Sequence, residues 1–404
     1  MSISELKRNV LNRKEILFQG VAGSAPAGAA VATRTGAAQY SLGALPLAAL
    51  IAFFVVLLNA YIITRVSKRV AGSGGYYDYS KNAFGAVTGA FTGWMYILYQ
   101  VFAMAFIAMS ISVFLPALLS EIFGINLPSY AWVPLLLVSL LFGYFVSVIG
   151  IKQSLKYAMV MGTLEILIVV FIGLFIVLSK PSVNTIEVFT PKFASGGLSG
   201  VMLGVLFMYT AFSGFGAMTP LGEEAKNAKK MVGDMILLSS VILGLFFIFA
   251  AYAFTVGWGP LNMSTYASNL VPGVILTKND LGMIGAIILT IFYVNSILTD
   301  LVVFFNSSSR ILMTLSRDNV LPSFLSKIHD KHKTPHISAA AIGIAAAVVS
   351  IVGTVTITGF NAWLMAGVVA TLAPLLVHAI ANASLPVLNK RATKKLGFIN
   401  VSYL

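Results

Sequence analysis

The feature that most constrains this chain is a series of ten apolar segments, each close to the roughly 20 residues that a helix needs to cross a bilayer. Only 10% of the residues are charged and 58% are hydrophobic, whereas soluble domains carry about 25% charged residues. Lipid is therefore the expected solvent for most of the chain. The sequence predicts an all-α polytopic membrane protein with ten transmembrane helices, at residues 15–38, 43–64, 85–116, 130–149, 156–179, 199–219, 233–257, 281–309, 336–356 and 361–386.

The lysine and arginine residues predict the orientation, because these residues concentrate in cytoplasmic loops. With a cytoplasmic N-terminus, 22 of them fall on the cytoplasmic side and 4 on the other, which accounts for all 26. A wrong number of helices would scramble this division. We therefore expect a multi-pass protein of the cell membrane with both termini cytoplasmic. About fourteen residues, most of them polar, precede the first segment without a cleavage signal, so we expect that segment to remain in the mature protein.

The composition also argues against several other classes of protein. The net charge of +13 comes from basic residues dispersed in short loops, so we expect no nucleic-acid partner. The chain has no cysteine, and three of its four histidines share one loop that is better explained as a solvated basic loop than as a metal site. We found no H-E-x-x-H motif, no G-x-S-x-G motif and no paired catalytic carboxylates. We therefore expect no cofactor, no metal and no enzymatic activity.

The first and sixth segments contain residues that interrupt helices. Segment one includes GVAGSAPAG at residues 20–28, and segment six includes AFSGFG at residues 211–216. Glycine is a weak helix former, and proline removes a backbone donor. Interruptions at matching places in two halves point to the binding site of a transporter, although such glycines also allow helices to pack closely. We favour interruption and expect a cytoplasmic segment at 1–14, five-helix repeats at 15–198 and 199–386, and a cytoplasmic tail at 387–404.

Four stretches of the chain resemble the amino acid–polyamine–organocation (APC) transporters. They are RVAGSGGYYDY at residues 69–79; AFSGF at 211–215, followed by EEAKN at 223–227; SRIL at 309–312 with SRDNVLP at 316–322; and, more loosely, GSAPAG at 23–28. The resemblance implies an inverted five-plus-five repeat, helices 1 and 6 that are interrupted, and transport by alternating access. Family members usually have twelve helices. This sequence ends after ten, so the usual helices 11 and 12 are absent from it.

An amino acid brings a carboxylate and an ammonium group into a low-dielectric site, and both groups need partners. A half-helix N-terminus offers free N–H groups and partial positive charge. We therefore expect the first interruption to bind the carboxylate, and the exposed carbonyl groups of the second to bind the ammonium. The resemblance implies an aromatic gate in the second interruption, although a plain core aromatic is an equal alternative. The predicted substrate-binding residues are Gly23, Ser24, Ala25, Thr210, Ala211, Phe212 and Ser213.

No charged residue falls among these predicted lining residues, and Gly216 stands where many relatives carry an acid. The sequence therefore favours a small or apolar neutral amino acid. Two acids lie inside apolar segments, where ionisable residues are functional candidates by default. The resemblance places Glu165 where some proton-coupled members have a buried lysine that replaces a sodium ion. We expect Glu165 to carry a proton or to make a structural hydrogen bond.

The other buried acid, Asp300, is expected in the cytoplasmic half of segment eight, as an ion ligand, a partner of the loop before segment three, or a gate. Ser296 and Thr299 are candidates for a sodium site. The charged residues at the cytoplasmic ends form either an inner gate of ion pairs or solvated loops; they are Glu223, Glu224, Lys226, Asp234, Arg310, Arg317 and Asp318.

The expected function is secondary active transport of amino acids, with coupling to H+ or Na+ and with membrane lipid as solvent. Two alternatives stay open. The chain is an amino acid/polyamine exchanger, or it is a membrane sensor that binds amino acids without moving them.

Overall fold

A computed structural model describes residues 5–393, apart from the side chains at positions 32–34, 213, 392 and 393. This part of the chain is almost entirely helical. It contains no strand, and one isolated bridge joins Leu11 to Ala225. The helices are α1 (Arg13–Ala22), α2 (Pro26–Gly28), α3 (Arg34–Ser41), α4 (Leu45–Ser67), α5 (Tyr76–Phe84), α6 (Ala86–Phe123), α7 (Trp132–Ile149), α8 (Ile151–Ser179), α9 (Leu198–Ala211), α10 (Ala228–Trp258), α11 (Met263–Ser268), α12 (Pro272–Arg317), α13 (His336–Ile357) and α14 (Gly359–Thr393).

Nine helical segments within the described residues 5–393 are long and apolar enough to cross a membrane, and they coincide with the second to tenth predicted segments. The first predicted segment, 15–38, is divided among α1, α2 and α3, with a π-helical turn at Ala29–Thr33. The expectation of an all-α membrane protein is confirmed. The count of ten spanning helices stays a prediction.

Glycines with positive φ permit two of the sharp bends between helices. Gly150 has φ 145° and ψ 145°, which lets α8 begin directly where α7 ends. Gly282 has φ 72° and bends α12 at the residue after Leu281, where the eighth predicted segment begins. A side chain at either position would strain the backbone. These bends set the directions in which α8 and α12 pass the centre of the bundle.

Corresponding helices of the two halves pack against each other. The outer part of segment one (α3) lies on α9 of segment six, α4 lies on α10, and α6 lies on α12. Small residues allow close approach. At the α4–α10 contact, for example, a Cβ atom on Gly233 would lie 2.4 Å from the Ser67 Oγ, and the Thr64 hydroxyl donates to the Gly233 carbonyl oxygen at 2.8 Å. This pairing agrees with a five-plus-five repeat and places the interrupted stretches at the centre.

The outward faces of the long helices carry large apolar side chains that are exposed. Leu58 is 68% exposed, Leu178 73% and Val355 72%. Soluble monomers rarely expose contiguous apolar surface on this scale. The surface accords with a multi-pass membrane protein.

Candidate substrate site

The backbone leaves the α-helical path between α1 and α2. The Ser24 N–H donates to the Val21 carbonyl oxygen at 3.2 Å, and the Ala25 N–H donates to that of Ala22 at 3.1 Å. Ala25 itself has left-handed angles (φ 40°, ψ 67°), which few non-glycine residues adopt and which cluster at functional sites. The chain resumes its helix at Pro26, whose missing N–H is harmless in a first turn. The N–H groups of Ser24 and Ala25 are therefore already hydrogen-bonded within the break.

Segment six leaves the α-helical path after Ala211. The Phe212 N–H donates to the Tyr209 carbonyl oxygen and the Phe215 N–H to that of Phe212, both at 3.0 Å. Tight 3₁₀ turns at Ser213–Gly216 and Thr219–Leu221 follow. The side chain of Ser213 lies outside the described part of the structure. The break thus lies where the glycines of segment six predict it.

The two breaks lie against each other through their backbones. A Cβ atom on Gly214 would lie 2.2 Å from the Gly23 carbonyl carbon and 2.3 Å from its oxygen. Real Cβ contacts are essentially never shorter than 3.0 Å, so only glycine fits at position 214. Gly23 therefore supports the second break, and it is not among the described residues that line the cavity beside it.

A small cavity of about 30 Å³ lies beside this contact. Four predicted substrate-binding residues line it, namely Ser24 and Ala25 from the first break and Thr210 and Ala211 from the second. The remaining described residues of its wall come from α6, α12 and α14, and they are Ala103, Phe106, Ile107, Asp300 and Ala370. The wall is mainly apolar, and the cavity is smaller than the roughly 300–1,000 Å³ of ligand-binding pockets in general. It must widen to admit an amino acid.

Phe212 does not line this cavity. Its side chain is fully buried, and its ring contacts Phe247 edge to face with the ring centroids 5.0 Å apart. This is the packing of a core aromatic, the alternative that the sequence left open. A gating role for Phe212 stays a prediction.

The cavity wall also includes a charged residue, Asp300, which the sequence analysis had assigned to ion coupling. Asp300 is 5% exposed, and its Oδ1 atom has no hydrogen-bond partner in the described structure. The sequence placed Asp300 in the cytoplasmic half of its helix. However, α12 continues to Arg317, eight residues beyond the end of the predicted segment. The carboxyl group therefore lies in the interior of α12, beside the two breaks.

Glu165 connects the first break to α12. Its side chain on α8 is 1% exposed. One carboxylate oxygen accepts from the Asn295 amide at 2.9 Å, and the other accepts from the Ser296 hydroxyl at 2.5 Å. The backbone N–H of Ala27, in the first turn after the break, also donates to this carboxylate. Glu165 thus has a full set of donors, in contrast to Asp300.

The two hydroxyl groups predicted for a sodium site are both engaged in hydrogen bonds. The Ser296 hydroxyl is used by Glu165, and the Thr299 hydroxyl donates to the Asn295 carbonyl oxygen at 2.8 Å within its own helix. No group of three or more His, Asp or Glu side chains that could hold a metal ion occurs in the described residues. A sodium site at this position stays a prediction.

The predicted inner gate corresponds to a cluster of ion pairs at one end of the bundle, where the α4–α5 loop, the loop before α10 and the end of α12 meet. We call it the basic end. A wider cavity of about 540 Å³ opens there. Arg317 pairs with Glu223 at 3.2 Å, and Lys81 pairs with Asp318 at 2.6 Å. The Ser73 hydroxyl also donates to Glu223, at 2.5 Å. The ion pairs join α5, the loop before α10 and the end of α12, which are far apart in sequence.

One ion pair at the basic end is completely buried. Arg310 and Glu224 have side chains that are each 1% exposed. The guanidinium Nη2 donates to the Glu224 Oε1 at 2.9 Å, and Nε donates to the other carboxylate oxygen. This bidentate geometry joins the loop after segment six to α12.

The residues before α1 are fastened to the same loop. The Leu11 N–H donates to the Glu224 carbonyl oxygen at 2.9 Å, and the Lys226 N–H donates to the Leu11 carbonyl oxygen at 3.0 Å. The segments that carry the two breaks therefore also meet at the basic end.

One polar cluster was missed by the sequence analysis. The Asn59 amide and the Tyr209 hydroxyl lie 2.8 Å and 2.7 Å from the His378 Nδ1, and all three side chains are buried. The cluster joins α4, α9 and α14. A signal was available, since a polar or ionisable residue inside a long apolar segment is a functional candidate. Beside the cavity, the Thr210 hydroxyl is hydrogen-bonded to that of Thr371 on α14.

A sequence model of the amino acid permease family matches residues 15–403. The chain belongs to the amino acid permease family. The resemblance inferred from the four sequence stretches is thereby confirmed. Membership makes this permease a multi-pass membrane protein of transporter type rather than an enzyme.

Similar proteins carry names that refer to several classes of substrate. The permease is 26% identical over 368 residues to the branched-chain amino acid permease BcaP of Bacillus subtilis (strain 168). This alignment covers 85% of this chain and 74% of that protein. It is 24% identical over 364 residues to the cationic amino acid transporter 7, chloroplastic, of Arabidopsis thaliana, in an alignment that covers 86% of this chain and 61% of that protein. It is 24% identical over 311 residues to the low-affinity putrescine importer PlaP of Escherichia coli (strain K12), in an alignment that covers 75% of this chain and 66% of that protein. Membership of the family therefore leaves the substrate undecided.

A solved structure shares the fold. The crystal structure of MhsT in complex with L-phenylalanine aligns with a TM-score of 0.64 over 93% of this chain and 89% of that chain, at 13% sequence identity. At this identity the likeness concerns the fold alone. It agrees with the expected arrangement of two five-helix halves.

Proposed function

We propose that this permease is a secondary transporter that moves amino acids with small or apolar side chains across the cell membrane by alternating access. The observation that carries the proposal is the meeting of Ser24 and Ala25 from one break with Thr210 and Ala211 from the other around one cavity. Irregular backbone at membrane depth is tolerated only where it is buried in protein or lines a cavity. The apolar remainder of the wall suits a small apolar side chain, and the name of the relative BcaP supports the same class.

Alternating access requires that one side of the cavity closes while the other opens. The pairs Arg317–Glu223 and Lys81–Asp318 are half-exposed, and ion pairs of this kind contribute only about 0–1 kcal/mol each. They can therefore break and form during a transport cycle. We propose that the basic end is the cytoplasmic gate.

We further propose that Glu165 couples transport to the movement of a proton. Its partners Ala27 and Ser296 belong to the first break and to α12, so a change in its protonation alters the contact between the two elements that line the cavity. Buried carboxyl groups at membrane depth commonly serve in proton relays. Sodium is the alternative coupling ion.

Uptake of radiolabelled amino acids into proteoliposomes tests the proposal. We expect the parent protein to accumulate an amino acid when a proton gradient is imposed, and the Glu165→Gln variant to lose this accumulation while it keeps part of its counterflow. Glu121→Gln, an exposed acid at the end of α6, is the matched control and should behave like the parent.

Each other outcome points to a different function. Full gradient-driven uptake by Glu165→Gln refutes the proton-carrier role. Uptake that requires sodium in place of a proton gradient assigns coupling to sodium, uptake only into preloaded vesicles indicates an exchanger, and binding without accumulation indicates a sensor.

A further inference from the structure

Asp300 is the only charged residue among the described side chains that line the cavity. It is at least nine-tenths buried, and its Oδ1 atom has no hydrogen-bond partner in the described structure. A buried charge without a partner is destabilising unless a ligand or a proton compensates it. The other acid predicted inside an apolar segment, Glu165, already accepts hydrogen bonds from Asn295, Ser296 and Ala27. The carboxyl group of Asp300 is thus the acidic group of the cavity whose Oδ1 atom is open to a ligand.

The first break offers few donors to a substrate carboxylate. The N–H groups of Ser24 and Ala25 already donate to carbonyl oxygens of α1, Pro26 has no N–H, and the N–H of Ala27 donates to Glu165. The hydroxyl of Ser24 lies 3.4 Å from the Gly20 carbonyl oxygen, a long contact that leaves it as the main donor from this break. The expected carboxylate site is therefore mostly occupied by bonds within the protein.

We infer that the Asp300 carboxylate holds the ammonium group of the substrate, and that an amine binds more tightly than the amino acid with the same side chain. A zwitterion would bring a second carboxylate into a cavity that already contains one, where the described wall has no basic side chain to receive it. An amine brings only an ammonium group, which can pair with the Asp300 carboxylate. This inference rests on the proposed transport function and extends its substrate class from amino acids to the corresponding amines.

The lining of the cavity favours monoamines over diamines. Besides Asp300, the wall includes the apolar side chains of Ala103, Ile107 and Ala370. A second ammonium group would lie against this apolar wall without a described acidic partner. We therefore expect ethylamine, isobutylamine and isoamylamine to bind better than putrescine.

Thermal stabilisation of the purified full-length protein at neutral pH measures the affinities. The probes are the three amines, the amino acids with the same side chains (alanine, valine and leucine), and the acids that lack the amino group (propionate, isovalerate and isocaproate). We expect at least one amine to bind more tightly than its amino acid, and the three acids to bind least. Equal or tighter binding of every amino acid, or no stabilisation by any amine, overturns the inference.

The variant Asp300→Asn keeps the shape of the side chain and removes its charge. We expect it to weaken binding of the best amine at least about thirtyfold, which corresponds to the lower end of the range for loss of one partner in a buried charged pair. Asp330→Asn, the same substitution in an exposed loop, should leave the affinity unchanged. If Asp300→Asn does not elute as a folded protein, Asp300→Glu, which keeps the charge, provides a second test. In this variant the amines should still bind more tightly than the amino acids with the same side chains. Unchanged amine affinity in Asp300→Asn refutes the inference.

Uptake separates failure of this inference from failure of the proposed function. Normal amino acid uptake by Asp300→Asn, together with amino acid binding tighter than amine binding, removes the role of Asp300 and leaves the transporter intact. Absence of both uptake and counterflow for every amino acid and amine in the parent removes the transport function itself.

Discussion

Replacing Gly214 with alanine tests whether the contact between the two breaks holds the cavity in shape. The new Cβ atom would lie 2.2 Å from the Gly23 carbonyl carbon, 2.3 Å from its oxygen and 2.6 Å from the Gly20 oxygen. All three are backbone atoms, so no side chain can rotate away. Ordinary contacts begin at 3.4 Å, and the two breaks must therefore separate by about 1 Å, since that is the shortfall for the methyl group.

Two consequences follow from this displacement. Overpacking of a well-packed interior costs about 1–3 kcal/mol, so the melting temperature of Gly214→Ala in detergent should fall. A misplacement of about 1 Å at a site of chemistry can cost about 10²-fold. We expect a loss of at least about tenfold in substrate uptake, since the separated segments supply four residues of the cavity wall.

Gly162→Ala is the matched control. A Cβ atom on Gly162 would meet Phe18 at 3.4 Å and Ala22 at 3.5 Å, which are ordinary contacts on the other face of α1. This variant should elute, melt and transport like the parent. A Gly214→Ala protein with the parent's melting temperature and uptake would refute the proposed role of the backbone contact.

Two further predictions concern the basic end. Arg310→Met leaves the buried carboxylate of Glu224 unpaired, which typically costs about 3–5 kcal/mol, so the melting temperature should fall. The added change Glu224→Gln removes the unpaired charge and should restore part of the lost stability. A double variant no more stable than Arg310→Met alone would contradict this. Burial raises the pKa of the Asp78 carboxyl group from 3.8 to about 6. Between about pH 4 and pH 6 the folded protein therefore keeps a proton that the unfolded chain has lost, so the stability of the folded state falls as the pH rises. The melting temperature of Asp78→Asn minus that of the parent should therefore increase across this range, and a flat difference would exclude the shift.

The fold was predictable because its signals are local. Nine of the predicted apolar segments agree with the long described helices to within a few residues at most ends, since lipid requires a continuous apolar run. The two breaks were predictable for the same reason. Glycine and Pro26 act on their own turns of backbone, and no knowledge of neighbouring helices is needed to locate them.

The position of Asp300 was not predictable in the same way. Its depth depends on where α12 ends, and the polar residues after position 309 concealed that the helix continues to Arg317. Its direction depends on how α12 is rotated against the first break. The cluster of Asn59, Tyr209 and His378 brings together three helices that are distant in sequence, so no periodicity within one segment reveals it.

The attachment of Leu11 to Ala225 has a consequence for how the molecule can move. The two interrupted segments are joined at the basic end by this bridge and again at the contact of Gly23 with Gly214. Two bodies joined at two separated points rotate together about a common axis and do not swing apart. A rotation that opens the basic end must then strain the ion pairs that join these segments to α12, Glu223 with Arg317 and Glu224 with Arg310. The buried pair of Glu224 and Arg310 therefore opposes this rotation more strongly than the partly exposed pair.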